Sequence, residues 1–211
     1  MIRTVCRGAL VLLLSALAGP LLAAGLELMP RPWGPTTFGT GLPAVAWSGD
    51  RFLTAWIQGM GNLGSPVMGS FSDARGRRIS AVPFLLAADV RPRWMQVVGM
   101  GDSWALFWDD GHPLDDNGSW IVRIAPDGRV TRPTRLDIPR HIAIRYAWDG
   151  TYFLAALTHP HDAVPRAAGE AILLNRDGVV VRRGISLQGF SESFDITALD
   201  DSFVVITNGP P

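Results

Sequence analysis

The chain contains no lysine and a single cysteine, Cys6. All nineteen basic residues are arginine, and sixteen of the nineteen acids are aspartate, so glutamate is scarce as well. GC-rich coding accounts for arginine over lysine. Two good helix formers are thereby missing, whereas abundant Asp, Gly and Pro favour turns. Helical periodicity is absent beyond the first two dozen residues. No G-x-S-x-G occurs, and no cysteine follows Cys6, so nucleophilic catalysis finds no support. Gly59-x-Gly61 is followed by neither a helical pattern nor a lysine, which argues against a phosphate cradle. The formal net charge is 0, and loss of Arg3 and Arg7 would take it to −2. A chain so balanced has no electrostatic case for binding nucleic acid.

Long apolar runs are also scarce. Ala9 to Leu22 forms the one candidate, broken by Gly19-Pro20 and too short for a membrane span. Arg3 and Arg7 precede it, and the small residues Ala23, Ala24 and Gly25 follow. This reads as an export signal over residues 1–24, leaving 25–211 as one domain with a periplasmic or extracellular location and no later membrane span. Cys6 precedes the apolar stretch, where a lipid-anchoring cysteine would follow it. The exported chain would then lack disulfides and depend on its core, for which roughly 185 residues suffice.

What the chain does have is a repeat of about 50 residues. Trp47-Ser48-Gly49-Asp50-Arg51-Phe52-Leu53 returns as Gly99-Met100-Gly101-Asp102-Ser103-Trp104-Ala105 and as Trp148-Asp149-Gly150-Thr151-Tyr152-Phe153-Leu154. A weaker copy is Ala198-Leu199-Asp200-Asp201-Ser202-Phe203-Val204. The copies stand 52, 49 and 50 positions apart. A second signature keeps step at Asp73-Ala74-Arg75-Gly76, Pro126-Asp127-Gly128 and Arg176-Asp177-Gly178.

Each repeat reads as four short strands with a tight Gly-Asp turn after the first. The first repeat gives Pro43 to Trp47, Phe52 to Ile57, Val67 to Phe71 and Arg78 to Leu86. The second gives Trp94 to Val98, Trp104 to Trp108, Trp120 to Ala125 and Arg129 to Leu136. The third gives Ile142 to Trp148, Tyr152 to Leu157, Ala171 to Asn175 and Val179 to Leu187. The fourth stops after its second strand, near Asn208. Such repeats predict an all-β propeller of about four four-stranded blades. Glu27 to Pro32 stands in the register of an outer fourth strand, offering to complete the last blade. A half-ring completed by a second copy, or a fragment of a longer propeller, are the alternatives, so monomer and homodimer both stay open.

The W-D-G-x-x-[YF]-L and D-G-x-[VI] pair resembles the repeats of secreted β-propeller proteins of GC-rich bacteria, over nearly all of residues 40–207. The resemblance implies export and fold rather than an activity. It departs from the sialidase-type S-x-D-x-G-x-x-W box, because Asp149 and Gly150 are adjacent and no serine stands two before Asp149.

Two constellations invite chemistry. The loops between second and third strands share a face with the connections between blades. They carry His112, His159 and His161, with Asp110, Asp115 and Asp116 nearby. Imidazole and carboxylate can ligate a transition metal, and Asp115-Asp116-Asn117-Gly118 offers oxygens to calcium. Exposed loops are equally polar for reasons of solvation and turn formation. The second constellation is a column on the innermost strands: Ala44, Gln96, Arg145 and Asp195. Grouped around a central channel, Gln96, Arg145 and Asp195 would recognise an anion or sugar, or form an ion pair between blades. Trp47, Trp56, Trp104, Trp108, Trp120 and Trp148 are expected in the core, with Trp33 and Trp94 exposed. The expected function is an exported, non-catalytic module binding a protein or carbohydrate on its loop face. A carbohydrate hydrolase or lyase, metal-dependent or not, is the alternative, with Glu170 or Glu192 among its carboxylates. No cofactor is indicated.

Overall fold

The computed structural model describes residues 41–59, 64–110, 118–159, 169–187, 194–200 and 202–207. All belong to one compact unit, Gly34–Pro211. The expected export signal, the strand at Glu27 to Pro32, and Trp33 lie outside the described residues.

Every described element is a strand. Blade 1 comprises β1 (Gly41–Ser48), β2 (Arg51–Ile57), β3 (Ser65–Asp73) and β4 (Phe84–Val90). Blade 2 comprises β5 (Pro92–Gly99), β6 (Trp104–Asp110), β7 (Ser119–Ile124) and β8 (Thr134–Arg135). Blade 3 comprises β9 (Ala143–Trp148), β10 (Phe153–Thr158), β11 (Gly169–Leu174) and β12 (Val180–Leu187). Blade 4 is the hairpin of β13 (Phe194–Leu199) and β14 (Ser202–Thr207). In each sheet the strands pair antiparallel in chain order. The innermost strands lie side by side as β1, β5, β9 and β13. Four sheets stacked through their faces around their first strands are β-propeller blades.

Strand register bears out the sequence alignment residue by residue. Ala44 stands opposite Ala55, Gln96 opposite Phe107, Arg145 opposite Ala156 and Asp195 opposite Ile206. These are the same rung of four hairpins. The repeated glycines have a backbone cause: Gly49, Gly101 and Gly150 all take positive φ in the first turn. Asp200 takes the same conformation at 51° in the fourth copy; aspartate is among the few residues that tolerate it.

The outermost strands are shorter than the periodicity predicts. In blades 1 and 2 the chain touches the third strand at Ser72–Arg78 and Ile124–Val130, then leaves it. Pro83 and Pro133, 50 positions apart, stand just before pairing resumes at Phe84 and Thr134. Proline cannot donate to the ladder. Blade 3 has Arg183 at that position, and its β12 runs unbroken.

Three apolar clusters fill the three junctions between successive blades. At junction 1–2, blade 2 supplies the bulk, with Trp104, Leu106 and Trp108 against Ala44, Ala46, Leu53 and Ala55. At junction 2–3, blade 2 presents Val98 and Phe107 to Tyr146, Phe153 and Ala155. Large meets small at each level, as close packing requires. Trp104 and Trp108 are buried as expected, and Trp120 and Trp148 pack partly buried against these clusters. Trp47 and Trp94 reverse expectation. Trp47 is 43% exposed because no described blade precedes blade 1. Trp94 packs on the junction 2–3 cluster, with its ring 6.0 Å from that of Tyr146.

The two repeated signatures meet across blades. Arg51, in the first turn of blade 1, donates to the Pro126 carbonyl in the Asp-Gly turn of blade 2. Asp102, in the first turn of blade 2, accepts from Arg176 in the corresponding turn of blade 3, at 3.2 Å. Their common period reflects a latch made by each blade on the next. The second copy begins with glycine for a separate reason: a Cβ at Gly99 would collide with the Trp47 carbonyl oxygen of the neighbouring innermost strand.

Candidate functional site

Antiparallel connectivity puts the β6–β7 and β10–β11 loops on the same face as the β8–β9 connection. On that face, at junction 2–3, lies a cleft of about 180 Å³ lined by Arg93, Trp94, Asp109, Asp110, Arg140, His141 and Ile142. Asp109 ends the apolar run of β6, directly opposite Ser119 on β7. The Ser119 hydroxyl donates to Asp109 Oδ1 at 2.7 Å. The other oxygen, Oδ2, faces His141 Nε2 at 2.9 Å across the blade junction. His141 Nδ1 in turn faces the Pro139 carbonyl at 2.9 Å.

Both ring nitrogens of His141 therefore point at acceptors. A carbonyl can only accept, so Nδ1 carries a proton, and a carboxylate partner calls for a second on Nε2. Burial of the ring works against the cation. The Asp109 hydrogen bond and charge, aided by the Pro139 carbonyl, outweigh it and raise the pKa above the ordinary 6.5. The site is a buried aspartate–histidine pair whose geometry favours the charged form of the ring. The order serine–aspartate–histidine, with the carboxylate in the middle, differs from a nucleophilic triad, in which imidazole bonds the hydroxyl.

Behind the pair, the Tyr146 ring stacks on Phe107 at 3.8 Å. Its fully buried hydroxyl lies near Ser119 and Asp109 with no hydrogen-bond partner of good geometry among the described residues. Burial and the Asp109 charge push its pKa well up, so it remains a neutral phenol.

The sequence candidates take separate places. Asp110 Oδ1 accepts the Arg91 backbone N–H at 3.3 Å, on the rim of the cleft. His159 Nε2 faces Glu170 Oε2 at 3.1 Å, while Glu170 Oε1 accepts the Gly184 N–H at 3.0 Å. The two histidine pairs flank the start of β9, where the Ile142 N–H donates to the Thr158 carbonyl. His112, His161, Asp115 and Asp116 lie outside the described residues. Among the described residues no group of three or more His, Cys, Asp or Glu is placed to hold a metal.

The inner column is distributed rather than gathered. Gln96 reaches into blade 3, Arg145 lies between rings of blades 2 and 4, and Asp195 is exposed at the blade 4 face. Gln96 grips the backbone of blade 3: its Nε2 donates to the Tyr146 carbonyl at 2.8 Å and its Oε1 accepts the Tyr146 N–H at 2.9 Å. Arg145 donates to the Ile144 carbonyl, with its guanidinium carbon 5.4 Å from the Trp94 ring centre and 6.0 Å from that of Phe194. Asp195 is exposed and accepts the adjoining Ile196 N–H. Among the described residues no ion pair joins Arg145 to Asp195.

Asp109 and His141 escaped the sequence reading. His141 is the histidine outside the β6–β7 and β10–β11 loops, in the connection entering β9. The usable signal was positional: Asp109 occupies the rung that Thr158 fills in blade 3, a carboxylate where that repeat has a hydroxyl.

No protein-family model matches this chain, and no curated protein matches it. Among solved structures, the chain is similar to a neuraminidase-like protein of A/little yellow-shouldered bat/Guatemala/060/2010, with 13% identity and a TM-score of 0.44 over 74% of this chain and 47% of that one. It is also similar to a mutant of Synechocystis apocarotenoid oxygenase, with 7% identity and a TM-score of 0.46 over 80% of this chain and 50% of that one. The chain thus spans about half the length of each.

Proposed function

We propose that the chain is an exported, non-catalytic binding module, of the secreted-propeller kind its repeats resemble, taking a carboxylate-bearing carbohydrate at the junction 2–3 cleft. The observation that carries this reading is mutual occupancy. Both oxygens of Asp109 and both ring nitrogens of His141 already hold partners, which leaves no free acid–base pair for proton transfer. Beside an indole, the three basic side chains Arg93, Arg140 and His141 outnumber the two carboxylates, Asp109 and Asp110, and Asp109 is already engaged by His141, which favours an anion. The cleft is smaller than the roughly 300–1,000 Å³ of drug-sized sites, which suits one terminal sugar acid rather than a whole chain.

Calorimetric titration with oligogalacturonate of defined length tests this. Saturable binding is expected, at least tenfold weaker in Arg93→Ala and Arg140→Ala, without new reducing ends or unsaturated products. Absence of binding overturns the reading. Product formation that is lost in His159→Ala replaces it with the hydrolase or lyase alternative, which rests on the His159–Glu170 contact.

A further inference from the structure

Equivalent positions make the two outer blades stand apart. Val97, Tyr146 and Ile196 occupy one rung of the repeat and are 5%, 2% and 8% exposed, each covered by the preceding blade. Val45 holds that rung in blade 1 and is 60% exposed. On the opposite side of the repeat, Ala55, Phe107 and Ala156 are fully buried by the following blade. Ile206 is their counterpart in blade 4 and is 59% exposed. Blade 1 thus presents a face shaped for a preceding blade, continued by Trp47. Blade 4 presents a face shaped for a following one, continued by Val204 and Leu199.

We propose that these faces are covered by a second copy of this chain. The blade 4 face of each copy seats on the blade 1 face of the other, closing a two-fold ring of eight blade positions. Each chain carries both halves of the missing junction, so one rotation satisfies both ends and leaves neither face open. Eight blades lie within the known propeller range of 4–8. The two turns that would meet are opposite in charge: blade 4 has the exposed Asp200 in its first turn, at the position of Gly101, and blade 1 has the exposed Arg75 in its Asp-Gly turn, at the position of Asp127. Inside the chain the corresponding turns of blades 2 and 3 are joined through Asp102 and Arg176. Asp195 sits on the rung of Gln96 and would face the partner's β1 backbone as Gln96 faces Tyr146.

The test is light scattering of the purified exported chain, read against the mass of its own denatured protomer. A discrete species of twice that mass is expected. Val45→Asp and Ile206→Asp, both at exposed positions, should each halve it while keeping the β circular-dichroism spectrum. Mixing the two variants should restore a dimer, because one of its two junctions then joins two unaltered faces. A monomeric wild type overturns the proposal, as does an open-ended ladder of sizes. So does a dimer that Ile206→Asp leaves intact, since that would mean blade 1 faces blade 1. Loss of β structure in either aspartate variant moves the mixing experiment to Val45→Thr and Ile206→Thr, with the same outcomes deciding.

Discussion

Junctions 1–2 and 2–3 are built from equivalent rungs yet held by different physics. The first is mainly aromatic and aliphatic: the Trp104 ring lies 5.0 Å from Phe71, its Nε1 donates to the Ala46 carbonyl at 3.1 Å, and the buried Ser48 hydroxyl oxygen accepts the Met100 N–H at 3.2 Å. The second adds polar clamps at both depths. Gln96 grips the Tyr146 backbone near the inner strands, and Asp109 grips His141 on the loop face. Where the first junction has Ala44, the second has Gln96. A propeller needs only complementary volume at each junction. Junction 2–3, which bears the cleft, is the one whose polar side chains clamp both the inner strands and the loop face.

The contrast can be broken from either side. Trp104→Ala removes a fully buried indole at junction 1–2 and should cost about 3–5 kcal/mol, read as a large drop in denaturation midpoint. Gln96→Ala strips two hydrogen bonds from the Tyr146 backbone and should cost about 1–3 kcal/mol, while Ala44→Ser at the matching rung should cost less. The Asp109–His141 pair adds a pH dependence. Because His141 has a raised pKa in the fold, its contribution is complete below the ordinary 6.5 and is lost as pH rises through the folded value. Asp109→Asn should flatten that part of the stability profile. Arg176→Ala, at the exposed latch to Asp102, should have the smallest effect on the denaturation midpoint, and that effect should disappear in high salt.

The fold was legible because its two signatures perform backbone tasks. A glycine at positive φ and an Asp-Gly turn that latches the neighbouring blade leave fixed spacings in the chain. The shortened outer strands were legible too, had Pro83 and Pro133 been weighed as breaks in the ladder. The site was harder to see. Asp109 and His141 stand 32 positions apart in different blades, and only the junction joins them. The loop histidines drew attention because they are numerous, whereas His141 acts from a connection with no repeated pattern. Gln96, Arg145 and Asp195 were aligned on one rung by the repeat, and the register bears that alignment out; the partners each side chain takes, such as the Tyr146 backbone for Gln96, depend on packing between blades that spacing does not encode.

On the loop face, junction 2–3 is held by the closed Asp109–His141 pair. Nitrogen-15 NMR of the histidine rings across a pH titration tests it most directly. The expected result is a His141 ring protonated at both nitrogens, with a midpoint above 6.5 that falls in Asp109→Asn. A midpoint at or below 6.5, unmoved by that substitution, would contradict it and leave His141 free to act as a base.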